Sequence, residues 1–343
     1  MTTRYATNKE ITDWNSHIAA NPDGGNILQG KEFVEQKALA GWKPRYVFVN
    51  TRAVGVVEKS IPSLGKLWYC PKGPSVTSVD DLSDIVSQLK AFAKKEGVFS
   101  IKIEPELPAG THTDGIQLLK TRPIQYNYST VLIDLSPSLD DIMTVLPQKG
   151  RHAIKRAKRD GVTVKRVQAT KENNRKMYGL FKATAQAGNF AIRPEEYYQK
   201  FYTRYSESGN GQLFFAYFEG SIVAGAFALR MGKKSMYKDG ASIRNRTAYG
   251  ASHLLQWHVI QWAKQNGSVE HDLAGIPPVS QLEDTNHPMH GLVRFKTSFN
   301  KTVTEYIGAY DIPVHPRKAK LWHAYVEKVV RRAYFKIHKQ SYY

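Results

Sequence analysis

FFAYFEGSIVAGAFALRMGKKSMYKDGAS, Phe214 to Ser242, reads as an aromatic strand, a tight turn, a second strand carrying Gly225, a Gly-Lys turn and a third strand ending near Gly240. Tyr46 to Pro74, YVFVNTRAVGVVEKSIPSLGKLWYCPKGP, follows the same plan, with Gly55 in the second strand and Gly73 near the end. Each is followed by a helical stretch, Ser78 to Glu96 in the first half and Tyr249 to Asn266 in the second. Each helix leads into a short apolar run, SIKIEP at Ser100 to Pro105 and HDLAGI at His271 to Ile276. A run of that length after a helix reads as a core strand. The repeating unit is hairpin, helix and strand, so the chain divides into two related α+β domains.

The remaining segments fit around that plan. A length of 343 residues, 41% of them hydrophobic, suits two cores rather than one. The join falls near TRPIQYN, Thr121 to Asn127, where a proline-bearing turn precedes a fresh strand, YSTVLIDL, giving a first domain over 1–125 and a second over 126–308. After Ser136 a single helix is expected over PSLDDIMTVLPQKGRHAIKRAKRD. Asp140 and Asp141 sit in its first turn and the basic block in its last, as the helix dipole favours. The last segment, RKAKLWHAYVEKVVRRAYFKIHKQSYY, reads as an amphipathic, aromatic, basic helix. It either lies on an anionic membrane surface or covers the core of the first domain with its polar face wet.

Composition narrows the function. A lone cysteine, Cys70, excludes a disulfide framework and a cysteine-based zinc site and suits a reducing compartment, so the chain is expected in the cytoplasm. MTTRYATNKEITDW lacks the apolar stretch of a signal peptide, and no later run approaches the roughly 20 apolar residues of a membrane span. Lys and Arg number 49 against 30 Asp and Glu, a formal charge of +19, which points to a polyanionic partner.

QKGRHAIKRAKRDGV, Gln148 to Val162, concentrates that charge. Lys149, Arg151, Lys155, Arg156, Lys158 and Arg159 meet no acid before Asp160, and the i,i+4 pair Arg151 and Lys155 costs helix stability. A phosphate backbone would offset the repulsion. The plainer reading is a solvated helix face. A helix-turn-helix reader would need a second short helix beside it, and none is evident.

Two further constellations bear on chemistry. In GLVRFKTSFN, Gly291 to Asn300, Lys296 lies between Phe295 and Phe299, read as a strand or a strand's start. A lysine so framed is either an edge-strand residue or a desolvated cation able to stabilise an oxyanion at an acyl-transfer centre. In AIRPEEYYQKFY, Arg193 precedes a proline that starts a helix. There a guanidinium can meet a phosphate or carboxylate, or simply pair with Glu195 or Glu196. His287, His290 and Glu283 lack the spacing of a metal site and read as loop residues. No Walker loop or Gly-x-Ser-x-Gly elbow is present. RNRTAYGAS puts Arg246 and Gly250 at the wrong spacing for an acetyl-CoA turn.

These segments, in this order, resemble the Fem family of non-ribosomal peptidyltransferases, bacterial enzymes that move an amino acid from aminoacyl-tRNA onto the stem peptide of a peptidoglycan precursor. The likeness is carried by FVEQK with GWKP, PKGP, IKIEPE, LPQKGRHAIKRAKRDGV, IRPEEYY, YKDGAS with HLLQWHVIQWA, DLAGI, and RFKTSFNKTVTEYIGAYD. It implies an α+β fold of two GNAT-like domains in tandem, with 309–343 returning to the first. The coiled-coil insertion of some members is absent, as in the compact branch.

By the same resemblance, Lys37, Arg193 and Tyr197 would contact the precursor's phosphates and sugar. Phe295 belongs to the F-K motif, whose Lys296 would stabilise the tetrahedral intermediate. Asp239 stands at a substrate-contact position where a tyrosine is common, and Phe33 where a tryptophan is. Glu104 keeps the carboxylate that some members carry as Asp and would assist. The basic helix would face the tRNA acceptor arm. Gly, Ala or Ser would be transferred to lipid II or UDP-MurNAc-pentapeptide by a monomer without metal or CoA, in peripheral contact with the inner membrane surface. A non-catalytic RNA-binding protein and a CoA-dependent N-acetyltransferase are the rival readings.

Overall fold

Both quoted stretches fold as three-stranded antiparallel meanders, the arrangement their turns and alternating side chains favour. The structure, a computed structural model, describes residues 2–188, 190–243, 248–338 and 340–343. In chain order the strands are β1 Thr3–Tyr5, β2 Lys43–Val49, β3 Arg52–Ile61, β4 Gly65–Cys70, β5 Val98–Ile103, β6 Leu119–Thr121, β7 Ser129–Asp134, β8 Thr163–Val167, β9 Gly211–Phe218, β10 Ser221–Met231, β11 Lys234–Ser242, β12 Glu270–Gly275, β13 Thr304–Glu305 and β14 Ala309–Pro313. The chain separates into one unit of Met1–Tyr128 with Glu305–Tyr343 and another of Ser129–Thr304. The sequence reading drew its boundaries at 125/126 and 308/309. Each unit is a mixed sheet flanked by helices, and the fold is two GNAT-like units in tandem.

In the first unit the strand order is β1-β2-β3-β4-β5-β14-β6. The helix Val79–Lys95 is capped by the Ser78 hydroxyl and buries Leu82, Ile85, Val86, Leu89 and Ala93, a stripe at helical spacing. It carries the chain over to β5, which pairs parallel to β4 from Lys66↔Val98 through Cys70↔Ile103. β14 then lies antiparallel to β5, so a late strand completes the sheet. The helical run after it buries Ala319, Trp322 and Glu327, with the Trp322 ring 5.8 Å from Phe99. The C-terminal helix thus covers the first unit with its inner face.

The second unit repeats the plan in the order β13-β7-β12-β11-β10-β9-β8. Helix Ala251–Gln265 joins the meander to β12, which is parallel to β11, and β7 lies antiparallel to β12. The matching strand glycines serve matching ends. A Cβ on Gly55 would stand 2.5 Å from the Gln29 carbonyl, and one on Gly225 would stand 2.7 Å from Met177 Sδ. Each therefore lets a crossing segment lie directly on the sheet. Gln29 uses that closeness fully: its side-chain amide donates to Gly55 O and Pro71 O and accepts from Gly55 N.

One expected element is two. Pro147 has no N–H for a helical ladder, and the single helix anticipated after Ser136 is broken into Leu139–Val145 and Gln148–Arg159. Arg151 bridges the break, donating to the carbonyls of Thr144 and Leu146 at 2.5 and 2.7 Å. The second piece buries Gly150, Ala153, Ile154 and Ala157 and turns its cations outward. Small residues on the inner face allow backbone contact: a Cβ on Gly150 would meet Ser298 O at 2.0 Å. Gly150→Ala is therefore expected to cost about 2 kcal/mol. Gly179→Ala, in the helix Lys171–Ala187 with open space around it, should gain about 0.5 kcal/mol. Thermal unfolding of both variants checks the contrast; equal shifts would contradict the packing.

Candidate active site

The centre of the second unit grows from a flaw in its sheet. β11 and β12 pair only over Lys234↔Glu270, Ser235↔His271 and Met236↔Asp272. Just beyond, β12 bulges against β7, with Asp272 opposite Leu132 and Gly275 opposite Thr130. Ala274 takes a left-handed φ of 62° in the bulge. Backbone groups released by the bulge need other partners. The Asp272 carboxylate accepts the Ala274 N–H at 2.6 Å and the Thr130 hydroxyl, and Thr130 Oγ1 lies 2.8 Å from Ala274 O. The Gly275 carbonyl accepts from Lys296 Nζ at 2.5 Å.

Lys296 ends a short helix, His290–Lys296, and so lies in neither a strand nor a strand's start. The alternation in RFKTSF suggests a period of two. What decides is packing of the helix against His253, whose ring lies 5.0 Å from Phe295 and stacks on Phe299 at 5.6 Å. The lysine is only 5% exposed. Burial lowers its pKa to about 8, opposed by the attraction of Asp272. The amine thus keeps its charge at neutral pH while stripped of most of its water. A cation in that state interacts strongly with any negative charge formed beside it.

Phe295 reaches the other strand. Its ring centroid is 6.3 Å from that of Tyr237 on β11, so the end of the lysine helix spans from β11 to β12 where they part. A Cβ on Gly240 would fall 1.7 Å from the Tyr237 hydroxyl, so that ring can fold back over its own strand only because residue 240 is glycine. Burial and the nearby Asp239 carboxylate raise the Tyr237 pKa and keep its hydroxyl neutral.

Asp239 is buried beneath the helix Glu195–Glu207. It accepts from the Tyr202 hydroxyl at 3.2 Å and Lys238 Nζ at 3.0 Å. Arg193 lies 4.8 Å over the Tyr197 ring, which stacks on Phe201, and Lys238 lies 5.4 Å from the Phe201 ring. Glu195 pairs with Arg175 and Glu196 with Lys200. The second unit therefore gathers Arg193, Tyr197 and Asp239 into one aromatic, charged cluster, and Phe295 and Lys296 into another, with Tyr237 between them.

Two candidates belong to the first unit. Glu104 is 3% exposed and accepts from the Tyr69 hydroxyl at 2.6 Å and from the backbone N–H groups of Ile124, Gln125 and Lys72 at 2.5, 2.9 and 3.4 Å. That is the geometry of a tie holding two loops. Lys37 is buried after the helix Lys31–Gln36, with Nζ 4.9 Å over the Phe33 ring.

The basic helix divides its cations unequally. Arg151 is committed to carbonyls, while Arg156 and Arg159 both reach Asp160, at 3.2 and 3.3 Å. Lys149, Lys155 and Lys158 are exposed and make no ion pair among the described residues. Of the RNRTAYGAS turn, Arg246 lies outside the described residues, while Gly250 takes a φ of 76° just before helix Ala251–Gln265. Among the described residues no group of three His, Cys, Asp or Glu could hold a metal ion. No helix is long and apolar enough there to cross a membrane.

Asp272, Thr130 and Tyr237 were not singled out as site residues from sequence. Asp272 had a visible signal, an acid inside an apolar core strand, which needs a partner. Tyr237 had none, since its place depends on Gly240 and the lysine helix.

A model of the FemAB family matches residues 107–219 and 216–328. Lipid II:glycine glycyltransferase of Staphylococcus aureus strain MRSA252 is 22% identical, the match covering 91% of this chain and 92% of that protein. Its counterpart in strain USA300 is 21% identical over the same shares. Among solved structures, that of FemX superposes with a TM-score of 0.80 at 20% identity, covering 94% of this chain and 99% of FemX. L-PGS from Bacillus licheniformis gives 0.53 at 14% identity, covering 90% and 92%.

The lowered pKa of Lys296 makes a stability prediction. The unfolded chain holds this proton up to about pH 10.5 and the folded chain only to about 8, so the group's burial penalty is full below 8 and fades as pH rises between the two. Measured by denaturant unfolding, the wild type should gain about 2 kcal/mol relative to Lys296→Met between pH 7.5 and 9.5. A constant difference would show that the amine is not desolvated.

Proposed function

The chain belongs to the FemAB family, and on that premise we propose that it is an aminoacyltransferase that moves Gly, Ala or Ser from aminoacyl-tRNA to the stem peptide of a peptidoglycan precursor. The desolvated, charged Lys296 at the parting of β11 and β12 is the observation that carries this reading. The names of the relatives favour a lipid-linked acceptor, lipid II, over UDP-MurNAc-pentapeptide. We place the enzyme in the cytoplasm as a monomer.

The chemistry asks for little beyond a cation and good placement. The ester on tRNA is already activated, so no metal or CoA enters the proposal. Attack by the acceptor amine forms the C–N bond, and negative charge gathers on the former carbonyl oxygen. Lys296 would stabilise that oxygen, and apolar walls such as Phe295 keep the interaction strong. Collapse breaks the C–O bond, and the proton lost by the amine ends on the ribose hydroxyl, carried by substrate groups. Arg193, Tyr197, Asp239 and Lys37 would hold the precursor. Glu104, saturated with donors, would position its loops rather than take a proton.

Lys149, Lys155 and Lys158 would meet the phosphates of the tRNA acceptor arm, with Arg156 and Arg159 beside them and Arg151 fixing the helix in place. The triple variant Lys149→Ala, Lys155→Ala, Lys158→Ala should raise KM for aminoacyl-tRNA about tenfold. It should also reduce the slope of log affinity against log salt by about 3. An unchanged slope would remove this surface from tRNA binding.

The direct test incubates the protein with glycyl-, alanyl- or seryl-tRNA and either precursor, and weighs the products. One added aminoacyl residue is expected, and Lys296→Met should lower kcat by about 100-fold with KM little changed. No mass gain with any donor and acceptor pair would overturn the assignment.

A further inference from the structure

From Pro316 the chain runs helically through Leu321, a π-helical turn over Trp322–Val326, and on to His338. Its inner face is fixed to the first unit. Ala319 and Trp322 are fully buried, and Glu327 accepts from the Tyr343 hydroxyl at 2.6 Å and from Lys102 Nζ at 3.5 Å. Lys102 is also paired with buried Asp311 at 2.7 Å. The orientation of the helix is therefore set from within, and its outer face is a fixed surface rather than a choice.

That outer face carries two stripes at helical spacing. Leu321, Tyr325 and Val329, four residues apart, are 49, 71 and 65% exposed, and Phe335, 47% exposed, flanks the same outer face about 120° round the helix from Val329. Beside them run Lys328, Arg332 and Lys336, also four apart and exposed. The acid of this run, Glu327, points inward. Like charges at i,i+4 destabilise a helix, and exposed large apolar side chains lose nothing only where water is displaced. One kind of partner relieves both at once.

We propose that the outer face of this helix docks on an anionic phospholipid bilayer, with Leu321, Tyr325, Val329 and Phe335 entering the headgroup region and Lys328, Arg332 and Lys336 meeting lipid phosphates. A nucleic acid would use the cations but leave the apolar stripe wet. A second copy of the chain would bring the same cations against themselves. The inference deepens the proposed transfer reaction by naming where a lipid-linked acceptor is met, and it rests on that reading only for this consequence.

The test is co-sedimentation of the full chain with vesicles of phosphatidylcholine alone or mixed with phosphatidylglycerol. Binding to the mixed vesicles alone, weakened by salt, is expected. Lys328→Glu with Arg332→Glu, and separately Tyr325→Glu with Val329→Glu, should each weaken it about tenfold without changing tRNA affinity or the melting temperature. Equal binding to neutral vesicles, or variants that bind as the wild type does, would overturn the proposal. So would loss of tRNA affinity in Tyr325→Glu with Val329→Glu, or a concentration-dependent dimer abolished by that pair. The comparison of the two vesicles with wild-type protein needs no variant to fold. A chain that binds mixed vesicles but transfers nothing to UDP-MurNAc-pentapeptide or lipid II sinks the transfer reading and leaves this one standing. Transfer to either acceptor without vesicle binding does the reverse.

Discussion

Past Met236 and Asp272 the parallel strands β11 and β12 cease to share hydrogen bonds, and the polar backbone exposed there must be satisfied by other means. The second unit is arranged around that requirement. Asp272 and Thr130 answer the bulge at Ala274, and Lys296 answers Gly275. The lysine can do so only because its helix is seated on His253 through Phe295 and Phe299, and because Gly150 lets the basic helix lie against Ser298 just beyond it. A buried ammonium is unfavourable by itself. It is retained here by a carbonyl and a carboxylate that the parted strands leave available.

The two units share a plan and differ at this one place. In the first, β4 and β5 stay paired through Cys70↔Ile103, the following Glu104 ties its own loops to Tyr69, and the buried lysine beside it, Lys72, is engaged in an ion pair with Glu106 and a hydrogen bond to Asn127 O. In the second, pairing stops after three residue pairs and a cation fills the gap. The scaffold occurs twice, and the earlier parting of the strands in the second unit is what sets an ammonium against a strand carbonyl there, whereas the buried Glu104 and Lys72 of the first are taken up by loop contacts. The first unit instead invests its buried charges, Lys102, Asp311 and Glu327, in anchoring the C-terminal helix.

The architecture was legible in the sequence because it rests on local signals, namely turn residues, alternation and the capped amphipathic helix after Ser78. Lys296 was legible as a lysine framed by phenylalanines and Arg193 as an arginine before a helix-starting proline, whereas Tyr197 was named only through the family resemblance. Two readings failed for physical reasons. Pro147 was visible and should have ended a helix, but the run of helix-favouring residues on both sides outweighed it. Lys296 was assigned to a strand because RFKTSF alternates, whereas contacts with His253, distant in sequence, fix it as a helix end. Asp272 was visible as an acid in an apolar core strand, but the bulge that partners it was not, and the place of Tyr237 depends on a glycine three residues away and on the lysine helix, which no local pattern announces.

If Lys296 acts by its charge, its effect must vanish with that charge. The ratio of kcat for the wild type to that for Lys296→Met, followed across pH, cancels titration of the acceptor amine and isolates the lysine. A ratio near its maximum below pH 8 that shrinks as pH rises past the lysine's pKa of about 8 is the predicted result. A ratio that grows over the same range would mean that the neutral amine is the active form, and would contradict an electrostatic role for Lys296.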